Sequence, residues 1–154
     1  MEDLVLIIDQ EDVERRYIAT VLAADGFDLI QVATVVEGMV QAMAHDPALI
    51  IVSEECGPVR VDEVIALIRR LTEAPLMVVG GGGDSGELAS LRGGSDYYLA
   101  RPFRGAELAA RARLLIQRSG GGMRENASRA DGPLLFARRP AESESPPRGR
   151  RRAA

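Results

Sequence analysis

Two apolar runs in this chain each end in a small polar residue, and these two residues are the first candidates for chemistry. Leu4–Ile8 is followed by Asp9, and the run at 49–52 is followed by Ser53. If both runs are parallel strands, their carboxyl ends meet at one edge of a sheet, where such folds bind their ligands. Asp9 is suited to hold a cation there, whereas the hydroxyl of Ser53 becomes a nucleophile only beside a general base.

Glycines and acidic residues cluster near the same predicted edge. The pattern Gly81-x-Gly83-x-x-Gly86 follows an apolar run, as a dinucleotide-binding motif would. An alternative hypothesis is therefore that the loop from Gly80 to Gly83 binds a nucleotide or another small ligand. The competing interpretation is a mobile glycine loop. Three glutamates could gather a divalent cation with Asp9, or form a solvated loop: Glu11, Glu54 and Glu55.

The elements that position these residues are predicted by hydrophobic spacing. Five apolar runs of four or five residues, too short for helices, lie at 4–8, 29–33, 49–52, 76–79 and 97–100. Runs this continuously apolar are typical of parallel strands that are covered on both faces. We therefore predict an α/β fold with a five-stranded, doubly wound parallel sheet of the flavodoxin-like type.

Helical periods separate the predicted strands. The residues expected on buried helix faces are Val13, Tyr17, Val21 and Leu22; Val36, Met39, Val40 and Met43; Val61, Val64, Ile65 and Ile68; and Leu108, Ala112, Leu115 and Ile116. Gly26 ends the first helix, and Thr34-x-x-Glu37 is a capping box that opens the second. The fourth helix, near residues 85–92, is short and poorly patterned.

Charge and composition divide the chain into a domain at 1–118 and a tail at 119–154. The domain has 11 arginines against 19 acidic residues, and the tail has 8 against 4. The tail is rich in Gly, Pro, Ser and Arg, so we expect it to be disordered and to contact nucleic acid at most weakly. A single cysteine, Cys56, and no apolar run near ~20 residues predict a cytoplasmic protein without membrane contact.

Residues 3–118 resemble the receiver domain of bacterial two-component response regulators, the chemotaxis-regulator-like fold. The motifs that carry the resemblance are Leu-Val-Leu-Ile-Ile-Asp at 4–9, Ala-Asp-Gly-Phe at 24–27, Asp-Pro-Ala-Leu-Ile at 46–50, Ala-Pro-Leu-Met-Val-Val at 74–79 and Gly-Ser-Asp-Tyr-Tyr-Leu-Ala-Arg-Pro-Phe at 94–103. The resemblance implies strand order 2-1-3-4-5 and a signalling module rather than an enzyme. It is nearest to the subfamily whose effector is a winged-helix domain, and residues 131–136 resemble the entrance to such an effector.

This sequence departs from the family at the pocket where a receiver is phosphorylated. The resemblance implies two acids after the first strand, an acceptor aspartate, a hydroxyl residue, and a lysine before proline. Asp9 keeps the first acid, whereas the other positions fall on Gln10, Ser53, Gly80 and Arg101, the last followed by Pro102. Mg²⁺ prefers carboxylate and water oxygens, so we expect the magnesium site to be lost or weak, with no cofactor and no aspartyl phosphorylation.

Two interpretations of the altered pocket stay open. The first is a structural ion pair between Asp9 and Arg101, with the module acting by protein contact alone. The second is a phosphorylatable regulator with a non-standard acceptor, such as Ser53 itself.

A partner surface is implied by the resemblance. Receivers of the winged-helix subfamily dimerise through the fourth helix, fifth strand and fifth helix, and an aromatic switch residue lies in the fifth strand. Tyr98 matches the switch, and three residues match the pairing positions: Asp96, Glu107 and Arg111. We expect a homodimer through this face and contact with a signalling-protein partner. The competing interpretation is that these charges only solvate an exposed helix.

Overall fold

The computed structural model describes residues 3–120, in which strands and helices alternate along the chain. The elements are β1 Leu4–Ile8, α1 Asp12–Ala24, β2 Asp28–Val32, α2 Val35–His45, β3 Leu49–Ser53, α3 Val61–Arg69, β4 Leu76–Gly80, α4 Asp84–Gly93, β5 Tyr97–Ala100 and α5 Gly105–Ser119. All strand pairs are parallel, and the sheet has the order β2-β1-β3-β4-β5. The predicted fold class and strand order are confirmed.

The sheet separates two apolar clusters because successive side chains in a strand point to opposite faces. On one side, Val5, Ile51 and Val79 pack with residues of α1 and α5. On the other side, Leu6 and Val78 pack with residues of α3 and with Ala42 and the partly buried Val35 of α2. Every residue of β3 and β4 is buried, which explains why these strands are continuously apolar in sequence.

The predicted buried faces are correct for α3 and α5 but wrong in part for α1. The stripes of α3 and α5 are buried, apart from the half-buried Ile116. In α1, however, Val13 is 74% exposed and Tyr17 is 45% exposed. Leu22 is buried as predicted, and the helix packs through Ile18 and Ala19 in place of Val13 and Tyr17. The small side chain of Ala19 carries little hydrophobic signal, so the sequence pattern favoured the larger residues on the neighbouring face.

The predicted face of α2 is also wrong, for a steric reason. Val36, Val40 and Met43 are exposed, while the buried residues of this helix are the small Gly38 and Ala42. Half of the predicted capping box forms, since Thr34 Oγ1 accepts from Glu37 N at 3.1 Å, whereas Glu37 Oε1 accepts from Ala33 N at 3.3 Å. A Cβ at position 38 would overlap the side chain of Ile8 in β1, so the helix backbone lies directly against the sheet.

The helix α4 is as weakly patterned as its sequence suggests, with Ser90 as its buried residue. It begins after Gly83, which has a positive φ of 92° and provides no side-chain cap. Among residues 3–120, no helix is long and apolar enough to cross a membrane. The predictions for 121–154, including the arginine-rich end and the effector-like segment at 131–136, lie outside the described residues.

Candidate functional site

A cleft of about 590 Å³ lies where the loops after β1, β3 and β5 meet. Its lining consists of Asp9, Gln10, Glu11, Val13, Glu14, Tyr17, Ser53, Glu55, Arg101, Pro102 and Phe103. Of the six residues predicted for the altered phosphorylation pocket, five line this cleft, and Gly80 lies outside the lining. The parallel sheet explains this convergence, because the carboxyl ends of its strands open on one edge.

Arg101 is the centre of the charge network in the cleft. Its guanidinium donates to both oxygens of Glu14, at 2.6 and 3.0 Å, and to Glu55 Oε1 at 2.8 Å. The predicted ion pair between Arg101 and Asp9 is therefore wrong, because Arg101 pairs with Glu14 and Glu55 instead. Glu14 lies in the first turn of α1, and its reach across the cleft could not be read from the strand-end pattern. Two carboxylates on one planar guanidinium form a strong, directional arrangement.

Asp9 is buried and has one oxygen without a donor. Its Oδ1 accepts from the backbone N–H of Glu11 at 2.9 Å, whereas Oδ2 has no hydrogen-bond partner. Burial, and then the neighbouring carboxyl of Glu14, raise the pKa of Asp9 to about 7. Burial also opposes ionisation of Glu14, but the hydrogen bonds from Arg101 and the neighbouring carboxyl of Asp9 outweigh that effect and lower its pKa. Of these two neighbouring carboxyls, Asp9 therefore holds a proton more readily than Glu14 does.

Ser53 and Gln10 make hydrogen bonds within the chain. The hydroxyl of Ser53 donates to Glu55 Oε1 at 3.3 Å and accepts from Arg101 Nη2 at the same distance. The amide of Gln10 donates to the carbonyl oxygen of Glu55 at 2.8 Å and so joins the loops after β1 and β3. Glu55, the carboxylate that accepts from this hydroxyl, is also paired with Arg101 at 2.8 Å.

A second network, beside the cleft, was missed by the sequence reasoning. Glu54 Oε1 accepts from the Tyr98 hydroxyl at 2.7 Å and from Gly81 N at 3.2 Å. The Tyr98 oxygen accepts from Gly82 N at 3.0 Å. A carboxylate of the chain itself thus takes a backbone N–H of the glycine loop, a group that a nucleotide phosphate would need. This occupancy argues against the nucleotide hypothesis for the loop.

The glutamates near Asp9 do not gather around a common point. Glu11 caps α1 by accepting from Glu14 N at 2.9 Å, while Glu54 contacts Tyr98 and Glu55 contacts Arg101. Within residues 3–120, no group of three or more His, Cys, Asp or Glu side chains is arranged to hold a metal ion. The hypothesis of a new divalent-cation cluster is therefore wrong for this part of the chain. The residues present do not fit the magnesium site of a receiver either, because Gln10 and Ser53 contribute no anionic oxygen.

The surface formed by α4, β5 and α5, called here the contact face, carries both apolar and charged groups. Leu88 and Leu91 of α4 and Leu114 of α5 are exposed. Arg111 stacks over the ring of Tyr97, 4.7 Å from its centroid.

The residues predicted to pair between two copies differ in their surroundings. Asp96 is engaged within the chain, because its Oδ2 accepts from Arg69 at 2.6 Å and from Leu76 N at 2.8 Å. Its predicted role in pairing two copies therefore competes with a structural one. Glu107 lies exposed in the first turn of α5.

Sequence comparison finds relatives among transcriptional regulators, although no family model matches the chain. The KDP operon transcriptional regulatory protein KdpE of Escherichia coli is 31% identical over 132 residues, covering 85% of this chain and 56% of that protein. The transcriptional regulatory protein CseB of Streptomyces avermitilis is 28% identical over 146 residues, covering 94% and 57%. The chain thus spans about half the length of the curated relatives that it matches.

Solved structures show the same fold. A two-component response regulator from Clostridium difficile matches with a TM-score of 0.73 at 20% identity, covering 78% of this chain and all of that one. A CheY-like receiver domain protein from Methanospirillum hungatei matches with a TM-score of 0.73 at 16% identity, covering 82% and 100%. Both structures therefore show that this chain has the fold of the receiver domains that it resembles in sequence.

Proposed function

We propose that this receiver domain transmits its signal by protein–protein contact, in signal transduction or transcriptional regulation, without aspartyl phosphorylation. The observation that supports this proposal is the state of Arg101, whose guanidinium is bound by Glu14 and Glu55 beside Ser53. The positive charge of Arg101 is therefore neutralised by carboxylates of the chain itself. A phosphoryl group entering the cleft would have to displace two carboxylates from that charge.

The chemistry of the remaining residues agrees with this proposal. Phosphoryl transfer depends on positioning and on charge neutralisation at the transferring group, commonly by Mg²⁺. Here Ser53 and Gln10 replace carboxylates, and Gln10 Nε2 is committed to a backbone carbonyl. Magnesium affinity is therefore lost or weak, and the carboxylate that Ser53 contacts, Glu55, is already paired with Arg101.

The proposal is tested by incubating the full chain with acetyl phosphate and MgCl₂ and measuring its intact mass. The expected result is an unmodified mass, whereas an adduct of about 80 Da, the mass of one phosphoryl group, contradicts the proposal. The variant Ser53→Ala is the matched control. An adduct that disappears in this variant identifies the serine as a non-standard acceptor, the second candidate function, which is favoured only by the 3.3 Å contact between Ser53 and Glu55.

A second copy of the chain is the proposed partner at the contact face, together with a signalling protein. Leu88, Leu91 and Leu114 give this face exposed apolar area on two helices. Arg111 of α5 adds a cation, which lies over the ring of Tyr97. Apolar groups with flanking arginine are typical of protein interfaces. Self-association through this face provides contact without any covalent signal.

A further inference from the structure

The carboxylate of Glu54 joins three segments at the carboxyl edge of the sheet. Glu54 lies in the loop after β3, and its Oε1 accepts from Tyr98 of β5 at 2.7 Å and from Gly81 at 3.2 Å. The Tyr98 oxygen accepts in turn from the N–H of Gly82 at 3.0 Å. Both glycines belong to the loop that leads into α4. The position of α4 is thus connected to β3 and β5 through one acidic side chain.

Two positions without side chains provide the space for this arrangement. A Cβ at Gly80 would overlap both the Tyr98 hydroxyl and the Glu54 carboxylate. A Cβ at Gly86 would overlap the carboxylate from the other side. The phenol and the carboxylate therefore meet in a volume that any larger residue at 80 would fill.

These hydrogen bonds satisfy the buried hydroxyl of Tyr98 and restrain the backbone of the glycine loop. The Tyr98 side chain is 8% exposed and packs in the apolar cluster with α3, where a phenol requires a polar partner. Burial and the neighbouring Glu54 raise the pKa of Tyr98 well above its usual range, so the hydroxyl remains a donor. The loop between β4 and α4 consists of three consecutive glycines, 81–83, which have wide conformational freedom unless they are bonded.

We propose that Glu54 and Tyr98 form a permanent latch that keeps the tyrosine inside the domain and fixes the loop before α4, so that the contact face is held in one conformation by the chain's own carboxylate. The inference rests on the proposed function, because it names the residues that determine the conformation of the contact face in the absence of phosphorylation. Glu54 is a positioning residue in this account. Gly80 is the position whose missing side chain permits the latch.

The test compares Gly80→Ala with Gly81→Ala in the full chain. A Cβ at Gly80 displaces the ends of two side chains, while a Cβ at Gly81 has its nearest neighbour 4.0 Å away. Gly80 ends β4 and Gly81 follows it, so both changes add one methyl group at neighbouring positions, and only the change at Gly80 meets Glu54 and Tyr98. The chain has three tyrosines, and incorporation of 3-fluorotyrosine gives one ¹⁹F signal for each. A soluble gadolinium chelate reports the exposure of each ring, with the exposed Tyr17 as reference.

We expect Gly80→Ala to increase the paramagnetic relaxation of Tyr98 at least fivefold, toward that of Tyr17, and to accelerate amide exchange at Gly81 and Gly82 at least tenfold. Gly81→Ala should change the Tyr98 relaxation less than twofold. Glu54→Ala should reproduce the effect of Gly80→Ala, and Glu54→Gln, which keeps an acceptor oxygen, should restore burial of the ring. The glutamate variants also keep the proposal testable if Gly80→Ala does not fold.

Three outcomes would overturn the latch. Tyr98 could stay as protected in folded Gly80→Ala and Glu54→Ala as in the unmodified chain. Alternatively, Gly81→Ala could expose the ring equally, which would indicate general loosening, or Tyr98 could already be exposed in the unmodified chain. None of these depends on the phosphorylation test, since an adduct of about 80 Da would refute the proposed function while leaving the exposure of Tyr98 as measured.

Discussion

At the scale of single residues, the cleft is organised by which carboxylate Arg101 selects. Sequence reasoning located Asp9 and Arg101 correctly at strand ends, but it paired them because it counted only strand-end residues. The guanidinium instead binds Glu14 from the first helical turn and Glu55 from the loop after β3. Helix and loop side chains enter a cleft at angles that strand periodicity does not encode, and so Glu14 was not predicted. Asp9 is left buried with one oxygen unpaired.

The titration of Asp9 makes the stability of the domain depend on pH. The folded state holds the pKa of Asp9 at about 7, above its ordinary value of 3.8, so the folded state binds more protons between these values. The free energy of unfolding is therefore expected to fall as pH rises from about 4 to 7 and to level off above. The variant Asp9→Asn has no carboxyl to titrate at this position. Its free energy of unfolding, relative to that of the unmodified chain, should therefore rise by roughly 2–4 kcal/mol between pH 4 and pH 8.

Urea unfolding of both proteins at pH 4.5, 6 and 8 measures this difference. Asp28→Asn, which removes an exposed carboxylate from β2, is the matched control for the loss of one negative charge. A constant difference between Asp9→Asn and the unmodified chain across this range would show that Asp9 is not held protonated.

At the scale of elements, the strands were easier to predict than the helix faces. A strand buried on both sides is apolar throughout, so β1, β3 and β4 are recognisable without knowing which face is which. A helix that approaches the sheet closely needs small residues at the contact, and α2 therefore buries Gly38 and Ala42 and exposes Val36 and Val40. Hydrophobic periodicity gives greatest weight to large side chains, and in α2 these lie on the outer face.

The close approach of α2 to β1 can be measured with a double-mutant cycle. Gly38→Ala should reduce the free energy of unfolding by about 1–3 kcal/mol, although alanine favours helix, because its Cβ overlaps the buried side chain of Ile8. Ile8→Val removes the overlapping Cδ1 and alone should cost about 0.5–1.5 kcal/mol. The double variant should be more stable than additivity predicts by at least about 0.5 kcal/mol. Additive losses in urea unfolding would show that the methyl group has room at position 38.

At the scale of the whole molecule, the proposed mode of action requires self-association through the contact face. Sedimentation velocity of the full chain should show a concentration-dependent dimer. Leu91→Asp on α4 should raise its dissociation constant at least tenfold, or about 1.4 kcal/mol, by placing a charge in the interface. Leu67→Asp on α3 is the control, because Leu67 is 38% exposed and Leu91 is 41% exposed. A monomer at every concentration, or equal effects of the two variants, would remove the contact face from the proposal.

The strand β5 has a consequence for communication across the domain. Its neighbouring tyrosines point to opposite sides of the sheet, where Tyr97 lies beneath Arg111 and Tyr98 reaches Glu54. A shift of this four-residue strand along its axis would therefore alter both layers at the same instant. A protein that covers Tyr97 on one side of the sheet is thus one residue along the strand from the tyrosine that Glu54 holds on the other side.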